Sequence, residues 1–132
     1  MSQENVEKVR AGYEAFTRRD LDAALAYLDP EIEWQQSSAF PDARTFHGYE
    51  GVRQFFEQIF EIFDESDFIP EEIIDLGDQV VVVHRFVGRG QGSRVPVEVS
   101  ETSLWTLRDG KAIRQEAFAS RTEALEAAGL SE

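Results

Sequence analysis

Val95-Pro96-Val97-Glu98-Val99-Ser100-Glu101-Thr102-Ser103-Leu104-Trp105-Thr106-Leu107-Arg108-Asp109-Gly110-Lys111-Ala112-Ile113 is the stretch on which the fold turns. Residues 95–108 alternate, so the odd-numbered side chains share one face of a strand and the even-numbered ones the other. Asp109-Gly110 suits a tight hairpin turn, and residues 111–120 read as the returning strand. Upstream, valine-rich residues 79–88 form a further strand. Gly88, Gly90 and Gly92 serve the turn that follows it, and a shorter strand lies near 68–76.

Working outward, the N-terminal third reads helical. Val6, Val9, Tyr13 and Phe16 recur at spacings of three and four across residues 3–17. Ser2 is placed to cap that helix. Asp20 caps a short second helix with Leu21, Ala24, Leu25 and Leu28 inward, which Pro30 stops. Residues 31–36 alternate as a short strand carrying Ile32 and Trp34, and residues 37–48 read as a loop marked by Ser37, Ser38, Pro41, Asp42 and Gly48. Residues 49–63 form the strongest helix, with Val52, Phe55, Phe56, Ile59, Phe60 and Phe63 in one wide apolar stripe. A last helix over 121–128 is framed by Ser120 and Glu123 at its start and Gly129 at its end. Helices followed by a meander of strands give an α+β class, with helices on one face of a curved antiparallel sheet.

The chain has 132 residues and a formal charge of −13, from 26 acidic against 13 Lys+Arg residues. That length suits a single domain, 1–132, with one hydrophobic core. The 42 % hydrophobic content argues against wholesale disorder. So acidic a surface repels phosphate and anionic lipid, which excludes nucleic-acid and membrane partners. No apolar run nears the roughly 20 residues of a membrane span, and the N-terminus carries no signal-peptide pattern. There is no cysteine, so disulfides and thiolate chemistry are out. A cytoplasmic location is the expectation. With two histidines and no ligand-like spacing between them, neither a metal nor another cofactor is expected.

Polar residues on apolar faces are the functional candidates. Glu101 and Ser103 interrupt the row Val95, Val97, Val99, Trp105, Leu107. A carboxylate there faces either a cavity or, past a strand bulge, water. His84 is the one polar member of the row Val80, Val82, His84, Phe86, and Gln115 the one polar member of Ile113, Gln115, Ala117, Ala119. Each is either a satisfied structural residue or part of a pocket. With a turn near residues 90–93, His84 falls opposite Glu101 or Ser100. Opposite Glu101, the two would stand about 5 Å apart at Cβ, as an acid–base pair on one substrate or as an inert contact. His47 reads as a helix-start residue. The glycines at 88, 90 and 92 open no helix and read as a turn, not a phosphate loop.

Four segments carry a family resemblance. They are Arg19-Asp20-Leu21-Asp22-Ala23-Ala24 running on to Leu28–Trp34, Phe46-His47-Gly48-Tyr49-Glu50-Gly51-Val52-Arg53-Gln54-Phe55-Phe56, Leu104–Ile113 and Glu123–Leu130. In that order they resemble the SnoaL-like branch of the nuclear transport factor two-like superfamily. The resemblance implies a cone, with a strongly curved sheet wrapped round the long helix and one pocket at the wide end. It also implies a homodimer through the sheet's outer face. Val81, Val83, Val87, Leu104 and Phe118 on that face agree, since valines on both faces of a strand ask for two covers.

The resemblance implies less about chemistry. Where the family's ketosteroid isomerases carry a catalytic Asp, this chain has Trp34. Their oxyanion Tyr aligns with Gly12, Tyr13 being one residue out and turned away, and their second Asp aligns with Ser103. The epoxide-hydrolase positions are Val80, Val82 and Ala117, all apolar. The cyclases use a pocket carboxylate or histidine, a part that His84 and Glu101 could take. The expected site is thus a catalytic pair, His84 and Glu101, in a pocket lined by Phe16, Trp34, Phe56, Ile59, Phe60, Ser103, Trp105 and Gln115. Its ligand would be a hydrophobic small molecule. Whether the pocket catalyses, binds, or is filled by side chains in a dimeric scaffold stays open on the sequence.

Overall fold

The structure, a computed structural model, describes residues 2–37 and 43–130, without the side chain of Ser2. The capping role read for Ser2 and the turn residues Ser38, Pro41 and Asp42 therefore lie outside the described residues. Helix α1 spans Ser2–Thr17 and buries Val9, Tyr13 and Phe16, the stripe that its spacing predicts. Asp20 caps α2, Leu21–Leu25, by accepting from the Ala23 amide at 3.1 Å.

That second helix ends earlier than expected. Leu28 belongs instead to strand β1, Leu28–Gln35, which runs through Pro30 and Trp34. Pro30 lacks an N–H, and it sits where the ladder to β6 skips from Leu28 to Glu33, so no ladder bond is lost. The expected loop holds a short strand β2, Thr45–His47, paired antiparallel to β1. Helix α3, Gly48–Ile62, follows with His47 at its N-cap.

Phe63 is already extended and opens β3, Phe63–Asp75, so the strand expected near residue 68 begins at the helix end. β4 (Gln79–Gly90), β5 (Pro96–Arg108) and β6 (Lys111–Phe118) complete the sheet. Asp109 and Gly110 both take positive φ, at 54° and 77°, as the tight hairpin requires. The strand order is β2-β1-β6-β5-β4-β3. The α+β class and the curved, open sheet stand as expected. All pairs are antiparallel but one, since β1 returns parallel to β6. β3 lies at the edge, where its acidic stretches and Pro70 discourage pairing with another chain.

Helices α1 and α3 lie against the inner face of the sheet. Val52 and Phe56 of α3 meet Trp34 and Trp105 there, in one core with Val9, Phe16, Leu28, Ile32, Val80, Val82 and Leu107. One expected row breaks. Leu107 pairs with Ala112 after a register shift from Thr106–Arg114, so Ala112 takes the inner position and Ile113 is only half-buried.

The outer face has its own cover. Helix α4, Arg121–Ala127, is capped by Ser120 accepting from the Glu123 amide at 3.2 Å. Its Ala124 and Leu125 pack on Val81 and Leu104, with Phe118 and Ile74 beside them. Further along, Arg85 pairs with Glu71 and Glu98, both at 3.4 Å. The valines that asked for a second cover are thus met in part by this chain's own C-terminal helix. The expectation of a dimer there loses that much of its ground.

Leu28 is fully buried at the junction of β1 with the helices. Leu28→Ala should destabilise the fold by about 2–5 kcal/mol through lost burial and a residual cavity. Urea unfolding checks it, and a loss near zero would place Leu28 outside the core.

Candidate functional site

A cavity of about 310 Å³, open to solvent on the side of the exposed Ile62, lies between α1, α3 and the inner sheet face. A helix with apolar residues every three or four positions aims them all one way, and on α1 that stripe carries Tyr13 between Val9 and Phe16. β4 contributes the row Val80, Val82, His84 and Phe86, all buried. β5 contributes Val97, Val99, Glu101, Ser103 and Trp105 to the lining.

The β4–β5 ladder decides how these rows meet. It runs without a shift from Gln79–Thr106 to Arg89–Pro96, and His84 stands opposite Glu101. β5 itself keeps register through Glu101, its shift coming later, at Thr106/Leu107 against β6, while the bulge beside His84 lies in β3, between Pro70 and Glu72. Glu101 therefore keeps the inward parity of its row, and its side chain is 13 % exposed beside a His84 side chain at 4 %.

The two side chains touch, His84 Nε2 lying 3.3 Å from Glu101 Oε1. The other ring nitrogen, Nδ1, lies 3.0 Å from the Tyr13 hydroxyl. Both nitrogens are thus used, which is what a buried imidazole needs. A carboxylate can only accept, so with Glu101 ionised Nε2 carries the imidazole proton. Nδ1 of the neutral ring is then an acceptor, and the Tyr13 O–H donates to it. The Phe68 ring meets the imidazole edge-on at 5.1 Å and fixes its plane. The 3.3 Å contact exceeds the roughly 2.7–2.9 Å of a strong charge-assisted bond.

Burial pushes the Tyr13 phenol well above its ordinary value. The Glu101 charge adds to that, while the Ser103 and Trp105 side chains oppose it. Tyr27 is also raised well above its ordinary value, by burial first and then by Tyr13. Gly12 makes room for it, since a Cβ there would collide with the Tyr27 ring. Both phenols therefore hold their protons past the ordinary phenol range.

Of the expected lining residues, Phe16, Trp34, Phe56, Ile59, Ser103, Trp105 and Gln115 all line the cavity with His84 and Glu101. Phe60 does not. Its ring packs on Phe16 at 5.4 Å, away from the cavity, and the Arg19 guanidinium covers it at 4.4 Å. Gln115 turns its Nε2 to the Gln35 carbonyl at 3.4 Å. Its Oε1, like Trp105 Nε1, is buried with no hydrogen-bond partner among the described residues.

Tyr13 is the main correction. Aligned as turned away, it points into the cavity and completes the hydrogen-bond chain. The signal was present as a hydroxyl on an apolar helix stripe, the same anomaly that singled out His84. His47, exposed at the α3 N-terminus, stands outside the cavity. Among the described residues no three His, Asp or Glu side chains converge as a metal site. Nor is any described helix long and apolar enough to cross a membrane.

The family model of the SnoaL-like domain matches residues 9–115. This chain belongs to that family. An NTF2-like protein of Burkholderia thailandensis is similar at 28 % identity, over 96 % of this chain and 97 % of that one, with a TM-score of 0.79. TerC, co-crystallised with polyporic acid, is similar at 26 % identity over 93 % and 96 %, with a TM-score of 0.78. A protein of Jannaschia sp. CCS1 provisionally assigned as a SnoaL-like polyketide cyclase is similar at 25 % over 88 % and 85 %, with a TM-score of 0.77. No functionally curated protein matches the chain. The expected NTF2-like cone is thus the fold of this SnoaL-like domain.

The raised Tyr13 has a consequence at high pH. Its folded value lies above the ordinary phenol value of about 10, so the unfolded chain loses that proton first and stability falls as pH rises past about 10. Tyr13→Phe should leave unchanged the 295 nm tyrosinate absorbance that develops before unfolding. It should also flatten the alkaline fall in stability. A loss of pre-unfolding absorbance in the variant would mean that Tyr13 ionises in the folded protein.

Proposed function

We propose that this chain binds a hydrophobic small molecule in the cavity and performs cofactor-independent acid–base chemistry on it. One observation carries the reading. Among the described lining residues Glu101 is the only carboxylate, and it stands in an apolar cavity at the end of a hydrogen-bond chain from Tyr13 through His84. Most of the wall is aromatic and aliphatic, the usual make-up of a small-molecule site. An apolar cavity of about 150 Å³ takes benzene, so about 310 Å³ leaves room for roughly two fused rings. TerC, similar in fold and sequence, was crystallised with polyporic acid, and the Jannaschia protein carries the provisional description of a SnoaL-like polyketide cyclase.

The roles follow from position. Glu101 takes a proton from an activated C–H beside a carbonyl. The C–H electron pair moves into the enolate, and the neutral Glu101 acid returns a proton to carbon or oxygen. His84 orients the carboxylate through Nε2–H. Tyr13 holds the His84 tautomer and, being kept protonated, does not compete as a base. Ser103, two residues from Glu101 on the same strand face, offers a hydroxyl to the developing oxyanion. The non-catalytic binder is the alternative and shares the same walls. A homodimer remains part of the proposal, now on the half-buried Val83 and Val87 beyond α4. A monomer at micromolar concentration in sedimentation equilibrium contradicts it.

A bicyclic ketone tests the chemistry directly. The protein should accelerate deuterium uptake from D₂O at C1 of 2-tetralone, read by NMR. Glu101→Gln should lower that rate by about 10²–10⁴-fold, the usual weight of a general base. Binding of 2-tetralone without acceleration would establish the non-catalytic reading instead.

A further inference from the structure

We propose that Glu101 also sets the ligand class: the cavity selects uncharged compounds, and an acidic compound enters only together with a proton. The proposal rests on the pocket reading above and concerns what the pocket admits. Its ground is the charge inventory of the lining. Among the described residues no Lys or Arg lines the cavity. Among the described lining residues Glu101 is the only carboxylate, its side chain 13 % exposed and facing inward.

The groups facing Glu101 can be followed element by element. β4 supplies His84, in contact at 3.3 Å. α1 supplies Tyr13, and the segment entering β1 supplies Tyr27, both kept protonated by burial. The lining from α2, α3, β1, β3 and β6 is uncharged. An anion in this space meets a like charge across an apolar interior, where such charges are screened far less than in water. Among the described residues no side-chain cation lines the cavity to balance it, so the balance falls to a proton, carried by the ligand itself or taken up at Glu101 or His84. By linkage, anion binding therefore strengthens as pH falls, by up to about tenfold per pH unit for one proton taken up. An uncharged ligand of the same shape shows no such slope. The unpaired-charge penalty is a recognised way of rejecting one partner while keeping another.

Matched probes of about the cavity's size test this. In calorimetric or fluorescence titration, 2-naphthol should bind with little pH dependence between about pH 6 and 8. At the upper end 2-naphthoate should bind at least tenfold more weakly, and the gap should narrow on acidification. Raising salt towards about 0.5 M screens the charge of the whole chain and should leave most of the gap. Glu101→Gln, nearly isosteric, should close it while still binding 2-naphthol, which also shows that the variant is folded. Equal binding of both probes by the wild type near pH 8, or a gap that survives in Glu101→Gln, overturns the charge filter and leaves the pocket reading intact. Failure of 2-naphthol to bind at millimolar concentration overturns the pocket reading and the filter with it.

Discussion

The register of β4 against β5 is the constraint on which the site depends. Side chains on a strand have a period of two, so a slip by one residue would send His84 and Glu101 to opposite faces. The ladder is unbroken over its whole length, and it sets His84 opposite Glu101 on the inner side. The register is itself secured by burial. Val80, Val82 and Phe86 share the inner row with His84, and a slip would exchange that row for Val81, Val83, Arg85 and Val87, setting a guanidinium inside. The apolar members of the rows thus fix where the polar members stand.

The cavity follows from what the helices bring. α3 lays phenylalanines across the sheet, and α1 brings Phe16 and Tyr13 to the same space. Burying a His and a carboxylate there is costly unless each polar atom finds a partner. The Tyr13–His84–Glu101 chain largely answers that cost, using both imidazole nitrogens and one carboxylate oxygen. The same groups that make the fold tolerable are therefore those able to move a proton. Two polar atoms, Trp105 Nε1 and Gln115 Oε1, stand outside this accounting, without partners among the described residues.

Much of this was legible in the sequence. Alternation in 79–88 and 95–108 exposed His84, Glu101, Ser103 and Gln115 as polar breaks in apolar rows, and the cavity contains all four. The resemblance supplied the cone. For Tyr13 the helix stripe and the alignment to the isomerases point opposite ways, and the stripe is the sound guide, since helix periodicity fixes the face on which a side chain lies. Phe60 was misplaced because periodicity gives the face of a helix and not how far along it a cavity reaches. The parallel return of β1 beside β6 is a non-local pairing that no local pattern announces. The cover provided by α4 was missed for a related reason. Seven residues of helix were enough to bury Val81 and Leu104, and the length of a helix does not say where it docks.

The central claim is that Tyr13, His84 and Glu101 form one directed chain of hydrogen bonds inside the cavity. The imidazole tautomer reads this directly through the ¹⁵N shifts of His84 in uniformly labelled protein, with His47 as the only other histidine. The account predicts a protonated Nε2 and a bare, acceptor-type Nδ1 where the ring is neutral. It also predicts that the preference weakens in Glu101→Gln, whose amide can accept or donate where the carboxylate only accepts. A ring protonated at Nδ1, or one that mixes both tautomers freely in the wild type, would contradict it.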